Sequence, residues 1–448
     1  MKGHSRDGLS RQDITRREFL WLTALSSAGF MAGCAVNPVT GKSQLMFVSE
    51  DQEIAIDKGN SPHQFSSDYG PVQDPELNQY IDNTGKMIAG HTHRFHMPYS
   101  FRAVNATYVN AYAFPGGSIA CTRGILLELE NEAELAALLG HELGHVNARH
   151  TAQQMSKGSI TSLILSGVGA YAEKGGSGLG DLATGLGNFA AGALLARYSR
   201  DNEREADSLG MKYMVQSRYS PEGMVGLMDI LRSMSKHKPN AIEMMFATHP
   251  MSDERYQTVV NATADKYQTT KDYPLHRERY MDHTAGLRAK KGAIEEIQNG
   301  EKAMGQKKFS DAEAHFQKAL KLAPTDYAGL VMMSQCMLAQ QKFTAAERYA
   351  EKAQKVYPQE AQAYQISGIS RIMQKDFSGA YEEFTLYEKQ LPGNPGTIFF
   401  KGYSLEGMEK KEGAATEYSR YLRIVNQGDM AEYAYQRLVQ WGYVRPHQ

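Results

Sequence analysis

The five residues HELGH, at positions 141–145, place two histidines four positions apart on either side of a glutamate. Residues four apart on an α-helix share one face, so His141 and His145 can both bind one metal ion. Glu142 points away from these two ligands but stays close enough to act as general base toward the attacking water, as in H-E-x-x-H metallopeptidases. The motif also occurs by chance on helices, so another ligand is needed to support this interpretation.

A second segment, YSRDNEREADSLGMKYMVQS at 198–217, supplies that ligand. Glu203 and Asp207 are four apart and share one face of the predicted helix. A thermolysin-type zinc site takes a glutamate from a second helix as third ligand, and a nearby carboxylate hydrogen-bonds a ligand histidine. Glu203 fits the first role and Asp207 the second. The metzincin pattern HExxHxxGxxH fails, because Ala148 and Thr151 stand where its glycine and third histidine belong.

The sequence around HELGH predicts the elements that position these side chains, namely a buried helix and the strands that precede it. Leucines recur at helical spacing through LENEAELAALLGHELGHV, and Asn131 with Glu134 predicts an N-terminal capping box. The residues between Tyr99 and Thr122 have a β pattern that is broken at Pro-Gly-Gly. They form either a core hairpin or an exposed edge that an extended peptide can pair with. The predicted substrate-binding edge strand consists of Asn110, Ala111, Tyr112, Ala113 and Phe114.

Composition excludes nucleic acid as a partner. Among 448 residues, 49 Lys and Arg balance 50 Asp and Glu, so there is no basic footprint. A chain of this length predicts two or three domains. Cys121 and Cys336 lack CxxC spacing, and whether they pair with each other is left open.

The first 34 residues predict export from the cytoplasm. TRREFL at 15–20 is similar to a twin-arginine signal, and the apolar run that follows is shorter than the about 20 residues of a membrane span. Met-Ala-Gly-Cys at 31–34 resembles a lipobox, which predicts lipidation of Cys34; an uncleaved anchor is the alternative. Ala35 after the cysteine favours the outer membrane, with the protein facing the periplasm.

Each of two further stretches could have a function or could be an ordinary surface segment. HTHRFH at 91–96 is predicted to be a solvated turn, because no carboxylate accompanies its three histidines. The Gly-rich residues 162–196 predict two helices joined by a flexible loop. That loop is either a lid over the active site or a surface insertion.

The C-terminal part has a 34-residue period, which is typical of tetratricopeptide helical hairpins. The repeated positions include Pro324, Pro358 and Pro392, Phe309, Phe343 and Phe377, and Ala312, Ala346, Ala380 and Ala414. Four repeats are predicted between about 293 and 428, followed by a capping helix from Met430. Such a solenoid offers a concave face to peptides or partner proteins.

Four separated motifs together resemble the HtpX and CAAX-prenyl-protease clan of zinc metallopeptidases. They are NAYAFPGG from Asn110, HELGH from His141, EREAD from Glu203 and THPMSDER from Thr248. Without a long transmembrane segment, the chain is similar to the soluble periplasmic branch that carries tetratricopeptide repeats. The resemblance implies degradation of misfolded or stalled outer-membrane and envelope proteins, with the repeats contacting the β-barrel assembly machinery. The alternative is a chaperone or assembly scaffold in which proteolysis is latent or secondary.

The resemblance also places His249 near the metal, and two roles compete for it. With Arg255 it could stabilise the oxyanion that forms when water attacks the carbonyl. As a neutral imidazole it could instead occupy the fourth position on zinc and hold the protease latent, and we expect this gating role.

The predicted fold is an α+β, mostly α, zincin-like metallopeptidase domain followed by an all-α tetratricopeptide solenoid. Residues 1–34 form the export signal, 35–265 the metallopeptidase domain, 266–290 a linker and 291–448 the repeat domain. One Zn²⁺ per chain is expected on His141, His145 and Glu203. The expected partners are unfolded envelope polypeptides and the outer-membrane assembly machinery, with membrane association through lipid on Cys34.

Overall fold

The computed structural model describes residues 33–41, 43–156, 197–237 and 239–445. Residues 1–32 of the predicted signal at 1–34 lie outside this part of the chain, and so does the stretch 162–196 that is predicted as a lid or a surface insertion. Within the described ranges, no helix is both long enough and apolar enough to cross a bilayer.

The N-terminal half combines two small sheets with helices. Its elements are β1 (Gly33–Val36), β2 (Ser43–Met46), α1 (Glu50–Ser67), α2 (Pro75–Ala89), β3 (Ser100–Val104), β4 (Ala111–Ala113), β5 (Ser118–Thr122), α3 (Arg123–Glu128), α4 (Glu132–Asn147), α5 (His150–Ser156), α6 (Arg200–Gln216), α7 (Glu222–His237), α8 (Pro239–Thr248), α9 (Asp253–Ala264), a 3-10 turn (Gln268–Thr270) and α10 (Arg277–Arg288). β1 pairs with β2 in an antiparallel hairpin.

The three-stranded sheet has the order β3-β5-β4, so β4 lies at an edge. β3 and β5 are parallel, with Ala103 opposite Cys121, whereas β4 and β5 are antiparallel, with Tyr112 opposite Ala120. Gly117 has φ of +104° in the turn between β4 and β5, a backbone conformation that favours glycine. The helix that carries HELGH packs against β4, so the edge strand lies beside the candidate site.

Helix α4 is buried along its whole length. The predicted cap is present at its N-terminus, because the Asn131 side chain accepts a hydrogen bond from the Glu134 amide at 3.0 Å. The Glu134 carboxylate accepts from the Glu130 amide and not from that of Asn131, so the predicted capping box is half formed. The neighbouring helix α6 approaches it closely through glycine. A Cβ on Gly144 would lie 2.8 Å from the Ala206 carbonyl oxygen, and a Cβ on Gly210 would lie 2.8 Å from the backbone nitrogen of His141. This close packing brings the carboxylates of α6 to the histidines of α4.

The stretch predicted as a linker, residues 266–290, contains a helix that packs on the metallopeptidase half. In α10, Tyr280 is fully buried and donates a hydrogen bond to the Leu126 carbonyl at 2.7 Å. Arg279 pairs with the buried Glu132 at the start of α4. The polar composition of the stretch concealed one buried face, so this connection is folded against the first domain.

The C-terminal half is a series of antiparallel helix pairs, as the 34-residue period predicts. Its helices are α11 (Lys291–Gly305), α12 (Phe309–Leu322), α13 (Tyr327–Ala339), α14 (Phe343–Val356), α15 (Gln362–Met373), α16 (Phe377–Gln390), α17 (Pro395–Gly407), α18 (Lys411–Leu422) and α19 (Asp429–Gln440). An aromatic ring packs on a glycine at a repeated position: Phe316 on Gly300, Phe384 on Gly368 and Tyr418 on Gly402. The periodic glycines therefore make room for the aromatic core.

The solenoid docks on the first domain through buried polar contacts. Arg123 Nη1 lies 2.5 Å from Asp326 Oδ2, and both side chains are almost fully buried. Gln298 Nε2 donates to the Thr107 carbonyl at 2.6 Å.

Cys121 and Cys336 are both free and buried, so the two cysteines do not form the disulfide that the sequence left open.

Candidate metal centre

Three elements converge on one buried point. Helix α4 contributes His141 and His145, α6 contributes Glu203, and the chain after α8 contributes His249. Potential ligand atoms of these four residues all lie within 4.8 Å of one another. The predicted ligand set is thus brought together, with His249 added to it.

The two histidines of α4 present nitrogen lone pairs to the same point. His141 Nδ1 lies 2.9 Å from Asp207 Oδ1; a carboxylate only accepts, so this nitrogen carries a proton. In the neutral ring that binds a metal, Nε2 is then free to be the ligand atom. The two Nε2 atoms are 3.1 Å apart. Ligands about 2.0–2.1 Å from a tetrahedral zinc are roughly 3.3 Å from each other. Glu203 oxygens lie 3.5 and 3.3 Å from the same two nitrogens, so the residues fit a zinc ion.

Arg255 joins the two carboxylates of α6. Its Nη1 lies 2.7 Å from Glu203 Oε2, while Nε and Nη2 each lie 2.7 Å from an Asp207 oxygen. Burial opposes ionisation of Asp207, but Arg255 and His141 outweigh it and lower the pKa of its carboxyl. Because its donors are engaged here, Arg255 is suited to positioning Glu203 and Asp207. These contacts do not support the oxyanion role that the sequence suggested for Arg255.

Glu203 is held as a carboxylate. Burial raises the pKa of this group, but the nearby His249, His141 and His145 outweigh burial and hold the pKa well below its ordinary value. A negatively charged oxygen facing two imidazole nitrogens is what a third zinc ligand requires.

Glu142 is fully buried, and neither of its carboxylate oxygens has a hydrogen-bond partner among the described residues. Burial raises the pKa of this carboxyl, against the opposing influence of His249 and His141. Burying a polar group without a partner costs free energy. Such an orphaned carboxylate beside the ligands is a natural acceptor for a proton from a water molecule.

His249 lies among the ligands. Its Nδ1 is 3.1 Å from Glu203 Oε1 and 3.4 Å from His141 Nε2, and the side chain is buried. Its Nε2 is 3.8 Å from Glu142 Oε1. This placement supports the ligand-like role more than the oxyanion role.

The sequence analysis missed three residues near His145: His150 and Tyr198 contact it, and Glu205 contacts His150. His150 Nδ1 lies 2.9 Å from His145 Nδ1, and His150 Nε2 lies 3.2 Å from Glu205 Oε2. The Tyr198 ring stacks on His145 with centroids 3.7 Å apart. His150 follows His145 by five positions, so helical spacing does not place the two together. The left-handed Arg149, with φ of +59°, turns the chain back between them.

Two of the three histidines of HTHRFH have separate hydrogen-bond partners. His93 Nδ1 lies 2.6 Å from the Tyr213 hydroxyl, and His96 Nε2 lies 2.8 Å from Glu50. In the described part of the chain, these residues belong to no group of potential metal ligands. His93 and His96 therefore have hydrogen-bonding roles within the domain.

Comparisons with known proteins identify two regions of the chain. The model for peptidase family M48 matches residues 75–263, and a tetratricopeptide repeat model matches residues 303–367. Metalloprotease YcaL of Escherichia coli is 31% identical over 204 residues, which cover 46% of this chain and 74% of that protein.

Two longer relatives match over a smaller share of their length. The beta-barrel assembly-enhancing protease of Yersinia pestis is 29% identical over 236 residues, covering 50% of this chain and 46% of that protein. The putative beta-barrel assembly-enhancing protease of Vibrio cholerae is 31% identical over 233 residues, covering 49% of this chain and 46% of that protein. The chain thus spans about half the length of these relatives. Yeast Tom70 superposes with a TM-score of 0.32 at 13% identity over 71% of this chain and 75% of that chain, which is too weak to support an argument.

Proposed function

Because the chain belongs to peptidase family M48, we propose that it is a zinc-dependent endopeptidase that cleaves polypeptides. The observation that carries this proposal is the meeting of two bare imidazole nitrogens and the Glu203 carboxylate beside the orphaned Glu142. Each component of a hydrolytic site is present within one buried cluster.

When bound, zinc supplies the positive charge that polarises a peptide carbonyl and makes a water molecule more acidic. His141, His145 and Glu203 would hold it. Glu142 takes the proton from the attacking water and delivers it to the leaving amine. Asp207 and Arg255 keep the ligands in place, because they fix the tautomer of His141 and the orientation of Glu203.

The edge strand β4 is the proposed platform for substrate. An extended peptide can add to a sheet edge through main-chain hydrogen bonds, and β4 packs directly on the helix of the metal ligands. The predicted residues 110–114 include this strand. Pairing there would carry a scissile bond past Glu142.

His249 is the proposed gate. Its Nδ1 lies 3.1 Å from Glu203 Oε1 and 3.4 Å from His141 Nε2, which is close to the spacing of two ligands on one zinc ion. A neutral His249 can therefore complete the ligand set and exclude water in a latent state. Displacement of the chain after α8 by a substrate or partner would then open the site. The contacts of His249 with Glu203 and His141 support this role.

We place this activity in the periplasm, on misfolded or stalled outer-membrane proteins. The support is the export signal and lipobox-like end predicted at 1–34, and the name of the relatives as beta-barrel assembly-enhancing proteases. Lipid on Cys34 would anchor the protein to the outer membrane. The solenoid would contact the assembly machinery, since stacked helical repeats offer an extended binding surface.

A chaperone or assembly scaffold is the second candidate function. The repeat domain favours it, whereas the complete ligand set and the buried base favour an enzyme. A scaffold has no need to keep an unpartnered carboxylate in its core.

Zinc analysis combined with proteolysis of an unfolded outer-membrane protein tests the proposal. Glu142→Gln should retain zinc and lose cleavage, because the ligands survive while the base is lost. Glu76→Gln, on the exposed face of α2, is the matched control and should cleave normally. Equal cleavage by wild type and Glu142→Gln would refute the mechanism. A zinc-loaded wild type that suppresses aggregation without cleaving would favour the scaffold.

A further inference from the structure

The two ligand histidines of α4 are supported differently. His141 Nδ1 meets the carboxylate of Asp207 directly. His145 Nδ1 meets a second imidazole, that of His150, at 2.9 Å, and both of these side chains are almost completely buried. A hydrogen bond between two imidazole nitrogens needs one nitrogen with a proton and one without.

Glu205 decides which nitrogen has the proton. Its carboxylate lies 3.2 Å from His150 Nε2 and can only accept, so His150 Nε2 carries the proton. In neutral His150, Nδ1 is then bare and accepts from His145 Nδ1. His145 Nε2 is consequently bare as well, and this is the nitrogen that faces His141 Nε2 and Glu203.

The surrounding structure holds this chain of hydrogen bonds in place. The Tyr198 ring stacks on His145 at an interplanar angle of 20°, and its hydroxyl lies 3.0 Å from Thr151 Oγ1. Helix α6 also carries Glu205, two residues after Glu203. One helix therefore supplies a ligand and the carboxylate that orients another ligand.

We propose that His150 and Glu205 act as a relay that fixes the tautomer and the ring orientation of His145 for zinc. This inference rests on the proposed zinc site. His150 and Glu205 are positioning residues in this relay, since neither reaches the metal ligand point itself. Residues that orient a zinc ligand are typically worth about 10–100-fold in metal affinity.

The zinc dissociation constant, measured by competition with a chelating dye, tests the relay. His150→Leu keeps apolar volume but removes the acceptor, so it should weaken zinc binding by about 10–100-fold. His150→Asn places an amide oxygen near the position of Nδ1 and should restore part of the affinity. Glu205→Ala should weaken binding less than His150→Leu. His93→Leu, a half-buried histidine bonded to Tyr213, is the matched control.

Nitrogen NMR of histidine-labelled, zinc-free protein gives a second readout. Wild-type His145 should show a protonated Nδ1 and a bare Nε2, whereas the Glu205→Ala variant should show mixed tautomers. Wild-type affinity in His150→Leu, or equal losses in His150→Leu and His150→Asn, would overturn the relay. If His150→Leu does not fold, the affinity of His150→Asn and the tautomers of Glu205→Ala decide. Absence of zinc binding by the wild type would instead refute the zinc site.

Discussion

Replacement of Asp68 by asparagine should change how stability depends on pH. Asp68 caps the end of α1 and is completely buried beneath the candidate substrate strand. It accepts hydrogen bonds from the hydroxyls of Tyr108 and Tyr112 and from the Gln64 amide. Burial raises the pKa of Asp68 to about 6, although these hydrogen bonds oppose the rise.

The size of the effect follows from the difference between the ordinary pKa of 3.8 and the folded value of about 6. Each pKa unit corresponds to about 1.36 kcal/mol, so this carboxyl contributes about 3 kcal/mol of pH-dependent stability. Because the folded pKa is the higher one, the contribution is present below about pH 4 and is lost as pH rises through about 6. Asparagine does not titrate and resembles the protonated form.

Urea unfolding followed by circular dichroism, at several pH values, measures this effect. The unfolding free energy of Asp68→Asn minus that of wild type should rise by about 2–3 kcal/mol between about pH 4 and pH 7. Any constant cost of rearranged hydrogen bonds cancels from this pH-dependent difference. Asp51→Asn, on the exposed side of α1, is the matched control. A flat difference for Asp68→Asn would show that its carboxyl is not destabilised by burial.

Three further predictions concern the site and the domain contact. Glu203→Gln should weaken zinc binding, because a neutral amide is a poor ligand; undiminished zinc content would mean that the third ligand is misassigned. His249→Ala should raise basal proteolysis at unchanged zinc content, whereas a loss of about 10²-fold or more would support an oxyanion role. Arg123→Met should lower the free energy of unfolding by about 3–5 kcal/mol, because it leaves the buried carboxylate of Asp326 without its ion-pair partner. Adding Asp326→Asn should recover much of that loss in urea unfolding, and no recovery would argue against a charge effect.

The sequence by itself determined those features of the fold and of the metal site that depend on the spacing of residues along the chain. Residues four apart on one helix must share a face, which is enough to pair His141 with His145 and Glu203 with Asp207. The 34-residue period likewise requires stacked helical hairpins, because only neighbouring repeats can bury their shared apolar faces. The capping residue Asn131 was also readable, since capping acts within one turn.

Only the tertiary structure decided the contacts that join distant or irregular segments. The left-handed turn at Arg149 brings His150 to His145, and no helical period encodes that meeting. The engagement of Arg255 with two carboxylates depends on how α9 packs beside α6. The helix in the expected linker was concealed because its burial comes from α3 and α4, which lie far away in sequence. Side chains acquire such partners through packing between elements, and a one-dimensional pattern does not record that packing.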